Sequence, residues 1–246
     1  MIPRLMPPPA KAYFGCSQPG RGGLARLAAR CAALVAAAAV MSSCAALEKR
    51  AEEKRLEAAR EEARVAHATW RAKPGWKSKT YRDEEIISRA TKDNISVEIS
   101  LSEQRGLLLV DTLVAMDFPV ATGKSSHPTP PGKFRILSKQ KDYSSNLYGK
   151  IVDAAGTVLV SNADARTDVP PEGATFSGAK MPYWMRLTDT GVGMHIGYVP
   201  GRPASHGCIR LQRGVAQQLF ELAKIGTPVE VAAQAPALAV PTTPRR

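Results

Sequence analysis

Ile95-Ser96-Val97-Glu98-Ile99-Ser100-Leu101-Ser102 alternates apolar and polar residues without a break. That period of two suits a half-buried β-strand and does not suit a helix. On its C-terminal side Glu103-Gln104-Arg105-Gly106 reads as a turn and Leu107-Leu108-Leu109-Val110 as the returning strand. Asp111-Thr112 turns the chain again, and residues 113–121 (LVAMDFPVA) make a third strand. Three short strands joined by tight turns predict an antiparallel meander.

Further along, Pro128-Thr129-Pro130-Pro131-Gly132 fixes a rigid surface turn, with His127 on it as a bystander or a substrate contact. A strand is expected over residues 133–137. Residues 138–182 are long, polar and poor in periodicity, with one strand expected over 157–160. A stretch of this kind in a compact domain is often a functional loop. Met181-Pro182-Tyr183-Trp184-Met185-Arg186-Leu187 is apolar and aromatic, and Asp189-Thr190-Gly191 turns into Val192-Gly193-Met194-His195. Residues 215–224 place Leu219, Phe220, Leu222 and Ala223 on one helical face, with Gly226 as the stop. Val229-Glu230-Val231 reads as a last strand, and the Ala- and Pro-rich tail over 233–246 as disordered.

Upstream, residues 74–92 form a polar linker opened by Pro74-Gly75, with a short helix starting near Asp83. Residues 44–73 read as a charged helical tether, rich in helix formers and without Gly or Pro before residue 74. Glu52–Arg55, Glu57–Arg60 and Glu61–Arg64 sit at helix-neighbour spacing. Its apolar positions are mostly alanine, so a solvated spacer is favoured over a coiled coil. The 27 residues 46–72 would reach ~40 Å if helical. His67 stands among alanines and reads as inert.

The N-terminal 43 residues read as a signal. Arg21, Arg26 and Arg30 precede the apolar run 32–41, which is too short to span a bilayer. Ser42-Ser43 then leads to Cys44, in the manner of a bacterial lipoprotein signal with Cys44 as the lipidated residue. An ordinary cleaved signal or an uncleaved anchor is the alternative. The lipoprotein reading makes the protein exported and membrane-anchored, facing the periplasm. It also isolates one cysteine: of Cys16, Cys31, Cys44 and Cys208, only Cys208 keeps a free thiol, which excludes an intrachain disulfide. The net charge of +12 includes +5 from residues 1–44. The remainder suits an acidic polymer such as a cell wall, although charge alone does not choose the partner.

Cys208 follows Gly207, whose backbone freedom permits a tight turn. Amides around a nucleophile at such a turn are natural oxyanion donors. His195, 13 residues upstream, reaches the thiol if its strand neighbours that of Cys208. His206 would share a face with Cys208 in an extended segment. Arg210 offers a charge to lower the thiol pKa or a fork to hold a carboxylate. The alternatives are a buried, inert cysteine and a metal site from His195, His206 and Cys208, which lacks a fourth ligand.

Ser205-His206-Gly207-Cys208-Ile209-Arg210 with His195 upstream resembles the signature of the L,D-transpeptidase catalytic domain family (YkuD-type). The Gln104 turn, Ala121-Thr122-Gly123-Lys124, Thr129-Pro130-Pro131-Gly132-Lys133-Phe134 and the Met181–Met185 segment extend that resemblance over residues 93–232. It implies a mainly β, antiparallel β-sandwich-like catalytic domain with one or two short helices, preceded by the tether. It implies Cys208 as nucleophile and His195 as general base and acid. Ser205, His206 and Gly207 would shape the site, with the Gly207 and Cys208 amides as oxyanion donors, and Arg210, Tyr183 and Trp184 would meet the substrate. The implied partners are peptidoglycan stem peptides and, through the lipid, a membrane, but not nucleic acid. No metal or organic cofactor is required by such chemistry.

Overall fold

The computed structural model describes the backbone of residues 21–234 and side chains from residue 46 onward. The first 20 residues of the expected signal, the Cys44 side chain and nearly all of the expected tail lie outside the described residues. Helix α1 (Arg21–Arg71) opens the described chain. The chain divides into two units, Met1–Glu57 and Ala58–Arg246. In the first, among the described residues, no helix is long and apolar enough to cross a membrane. The second unit holds everything that follows.

After a single 3-10 turn (Trp76–Ser78) come β1 (Tyr81–Arg82) and α2 (Glu84–Ser88). Asp83 starts α2 as its N-cap, its carboxylate accepting from Ile86 N–H at 3.0 Å. The expected meander follows as β2 (Ile95–Ser100), β3 (Arg105–Val110) and β4 (Leu113–Ala121). Then come β5 (Gly132–Arg135), β6 (Ser138–Gln140), β7 (Ser144–Val152), β8 (Val158–Asp164) and β9 (Thr175–Lys180). The chain continues through β10 (Trp184–Arg186), β11 (Gly193–Ile196) and β12 (Ile209–Leu211). Helix α3 (Arg213–Leu222) and β13 (Pro228–Ala232) complete it.

The main sheet runs β5-β13-β2-β3-β4-β12-β11-β10-β6, with β1 also on β4. Long β4 is its pivot: Met116 and Asp117 pair with β1, while Val120 and Ala121 pair with β12. Two of the pairings are parallel, β2 with β13 and β11 with β12, within a largely antiparallel fold. The β11–β12 pair needs a crossover, and residues 197–208 supply it as a Gly- and Pro-bearing loop. Ile99, Leu108, Met116, Phe118, Met194, Ile209, Leu211 and Leu219 fill the core beneath α3. Each such side chain contributes about 1.5–3 kcal/mol by leaving water.

Residues 138–182 are mainly strands. Most of them form a second sheet, β8-β7-β9. Gly149 and Gly178 let β7 and β9 close tightly: a Cβ on Gly149 would sit 2.2 Å from the Ser177 carbonyl oxygen.

His67 is not inert. It is buried, and its Nε2 lies 2.9 Å from Oδ2 of fully buried Asp117. Arg71 Nε donates to the same oxygen at 2.7 Å, and Arg105 Nε donates to Oδ1 at 2.8 Å. Arg71 also reaches Glu103, and Arg105 Nη1 donates to the carbonyls of Lys77 and Lys79, both at 2.9 Å. Trp70, Trp76 and Tyr81 close around the cluster. The last turns of α1 are therefore packed onto β4. Burial alone would raise the Asp117 pKa, but the His67 hydrogen bond and the two arginine charges outweigh it and hold the carboxyl below its usual range.

Candidate active site

The parallel pairing of β11 with β12 builds the site. Met194 is opposite Ile209 and His195 opposite Arg210. Continuing that register by one residue sets Cys208 beside Gly193. Side chains alternate along a strand, so Cys208, Arg210 and His195 share one face while Met194 and Ile209 enter the core.

His195 is buried, and its Nδ1 lies 2.8 Å from the Ile196 carbonyl. A carbonyl can only accept, so Nδ1 carries the hydrogen and Nε2 keeps its lone pair. Burial pushes the imidazole down to about 4; the Ile196 bond opposes this and the Arg210 charge adds to it. The Cys208 thiol is shifted upward by burial, against the lowering effects of the Gly193 amide and Arg210. At rest the thiol donates to the Gly191 carbonyl at 3.7 Å. The pair is thus a neutral thiol and a neutral imidazole, not a thiolate beside an imidazolium. A neutral thiol of this kind becomes nucleophilic when a base takes its proton.

The turn holding Cys208 is built from the residues before it. Ser205 is buried, its hydroxyl donating to the Cys208 carbonyl and accepting from Gly207 N–H at 3.1 Å. Gly207 adopts φ 112°, which L side chains rarely take. This changes two expectations. The Gly207 amide is engaged with Ser205 and is not a free oxyanion donor, which leaves the Cys208 amide. The segment is also not extended, so His206 points elsewhere: its ring stacks on Tyr148 of β7 at 4.7 Å and meets His127 edge-on at 4.9 Å. His127 thereby joins the contact between the second sheet and the catalytic loop.

The aromatic pair separates where Tyr183, with a left-handed φ of 58°, leads into Trp184 at the start of β10. Trp184 is buried, stacked on Tyr143 at 4.9 Å and 6.0 Å from the His195 ring centre. It supports the histidine. Tyr183, expected to meet substrate, packs edge-on against Phe220 at 5.3 Å and accepts from Gln217, both on α3. Gly193 has no room for a side chain, since a Cβ would lie 2.6 Å from both the Met185 carbonyl and the Trp184 ring.

Thr129 was read only as part of a surface turn. It is buried, its Oγ1 accepting from Gly123 N–H at 2.8 Å and donating to the Gly207 carbonyl at 2.7 Å. It ties the nucleophile turn to the end of β4. Three surrounding prolines lack N–H groups, which made its hydroxyl the polar side chain to notice there. Gln104 acts similarly one step back, exchanging hydrogen bonds with Thr122 at 2.7 and 3.0 Å.

A cavity of about 400 Å³ opens between the second sheet and the catalytic loop. His206 and Arg210 form one wall, and Tyr148, Lys150, Asn162 and Lys180 belong to the other. Arg210 packs its methylenes against Gly197 and has no carboxylate partner among the described residues. Among those residues no group of three or more His, Cys, Asp or Glu side chains is placed to hold a metal ion.

Solved structures similar to this chain include an L,D-transpeptidase from Mycobacterium smegmatis, at 23% identity and TM-score 0.43, with 57% of this chain and 59% of that one covered. L,D-transpeptidase 1 of Mycobacterium tuberculosis matches at 25% identity and TM-score 0.40, covering 56% and 60%. The L,D-transpeptidase of Stackebrandtia nassauensis matches at 20% and 0.41, covering 62% and 66%. The chain thus spans under two thirds of the length of the structures it resembles. No curated protein sequence matches. The family model described as YkuD, the L,D-transpeptidase catalytic domain, matches residues 94–231, and the chain belongs to that family.

Proposed function

We propose that the protein is an L,D-transpeptidase that acts on peptidoglycan stem tetrapeptides through a thioester on Cys208. The observation that carries this reading is the neutral thiol–imidazole pair on one sheet face beside a cavity with an unpaired arginine. His195 Nε2 takes the thiol proton as sulfur attacks the carbonyl carbon of the third stem residue. The Cys208 amide is the donor left to meet the oxyanion. Collapse of the tetrahedral intermediate breaks the C–N bond to the terminal D-residue, whose amine leaves with the proton held by His195. An acceptor amine then attacks the thioester, gives a proton to His195 and releases the thiol. The product is a 3→3 cross-link or a protein attached to the wall; with water as acceptor the same site is a hydrolase.

The reading extends to export, with Cys44 lipidated and the catalytic unit in the periplasm. The support is the sequence alone: basic residues, a ten-residue apolar run and small residues before Cys44.

The test is mass spectrometry of tetrapeptide muropeptides incubated with the protein. The expected products are a dimer lacking one terminal D-residue, together with a transient adduct on Cys208. Cys208→Ala must abolish both while leaving the circular dichroism spectrum unchanged, and a free tripeptide as sole product identifies water as acceptor. Turnover by the Cys208→Ala protein would defeat the assignment.

A further inference from the structure

The cavity beside Cys208 carries more positive charge than positioning a peptide requires. Lys150 on β7, Lys180 at the end of β9 and Arg210 on β12 all line it, and no Asp or Glu does. None of the three has an ion-pair partner among the described residues. Asp164, the nearby acid of the second sheet, is already held by Arg166, Nε to Oδ1 at 2.8 Å and Nη2 to Oδ2 at 2.6 Å. Its charge is therefore compensated outside the cavity. His206 can carry no negative charge, and burial, Lys124, His127 and Arg210 lower its pKa. Ser161, Asn162 and Ser177 complete the wall with neutral hydrogen-bonding groups.

Pockets for neutral ligands are mostly apolar with a few placed polar groups. Here three cations from three strands converge on about 400 Å³ without an internal counter-ion, a space that gathers anions. Both lysines stand on paired β7–β9 backbone, Lys150 opposite Ser177 and Lys180 opposite Ser144, on either side of an irregularity in the register. Their backbone positions are therefore fixed, while their ammonium groups adapt to the ligand.

We propose that Lys150 and Lys180, together with Arg210, make the site selective for stem peptides whose branch carboxylates are free, against the same peptides carrying carboxamides there. This rests on the transpeptidase reading and deepens it. A carboxamide preserves shape and hydrogen-bonding capacity but carries no charge, so it separates charge recognition from fit. Charge-assisted bonds outweigh neutral ones by enough to expect about a 10- to 100-fold difference in kcat/KM.

The experiment uses the full chain and two synthetic tetrapeptide donors that differ only in carboxylate or carboxamide at those positions, with one fixed acceptor amine. Transfer is followed by mass spectrometry for the parent protein and for a Lys150→Met, Lys180→Met double variant, each at low and high salt. The parent should favour the free acid by about 10- to 100-fold, and the preference should shrink as salt rises. The double variant should keep little preference while its Cys208 still alkylates with neutral iodoacetamide. Equal use of both donors by the parent, a preference unaffected by salt, or a preference retained by the double variant would each overturn the charge selectivity alone. If neither donor is transferred although Cys208 alkylates, the transpeptidase reading falls and the selectivity falls with it.

Discussion

The resting protonation state of Cys208 and His195 yields a sharp prediction. Burial pushes the thiol up from its ordinary value near 9 and His195 down to about 4. Between pH 6 and 8.5 the imidazole stays neutral and the thiol stays protonated, so a reagent needing preformed thiolate sees a fraction that grows tenfold per pH unit. Alkylation of Cys208 by iodoacetamide should therefore rise log-linearly, by about 30-fold between pH 7 and 8.5, with no plateau. Stopped-time labelling with intact mass detection measures it directly. An ion pair would instead plateau near neutrality, and a plateau below pH 7 would refute the neutral pair.

The same burial couples His195 to stability. In the unfolded chain the imidazole takes up a proton below about 6.5, whereas in the fold it does so only below about 4. Its contribution is thus present above pH 6.5 and is lost as pH falls through 4, by about 3 kcal/mol in all. His195→Gln should flatten that part of the stability profile.

Three further substitutions probe the supporting structure. Asp117→Asn leaves His67, Arg71 and Arg105 without their shared carboxylate, and a loss of about 3–5 kcal/mol is expected. At about 2–4 °C per kcal/mol for a unit of this size, thermal unfolding should move down by roughly 6–20 °C; a loss under about 1 kcal/mol would show that the cluster is not a close-coupled unit. Gly193→Ala forces a methyl into the Trp184 ring and should cost about 1–3 kcal/mol. It should slow acylation of Cys208 by a β-lactam more than tenfold, which rate measurements on folded variant would show. Thr129→Val cuts the link between Gly123 and Gly207. It should lose about 1–3 kcal/mol in urea unfolding and slow acylation, while Thr129→Ser restores both.

The first meander was legible because β2 alternates over 95–102 and tight turns bound the runs that become β3 and β4, although those two strands are buried on both faces. The second sheet was not legible. Its close β7–β9 contact uses glycines in place of apolar pairs, and much of β8 is exposed, so no period of two is written into it. At the site, the sequence brought His195 to Cys208 only on the condition that their strands are neighbours; β11 and β12 are neighbours, and the sequence did not show that they run parallel. Tyr183 was paired with Trp184 because the two are neighbours in sequence, but it precedes β10 with a left-handed backbone, φ 58°, and packs on Phe220 of α3. His67 escaped because its partner is 50 residues away, and no local pattern announces a long-range ion cluster.

The Asp117 cluster changes where the catalytic unit begins. A fragment cut at residue 93 by the repeat of apolar and polar residues would strip Arg71, Trp70 and Trp76 from Asp117 and Arg105, leaving a buried carboxylate–guanidinium pair open to water. Nor is Pro74-Gly75 a swivel, because Arg105 grips the backbone at Lys77 and Lys79 on its far side while Arg71 and His67 are fastened on its near side. The catalytic face is then carried at a constant angle to the last turns of its own helix.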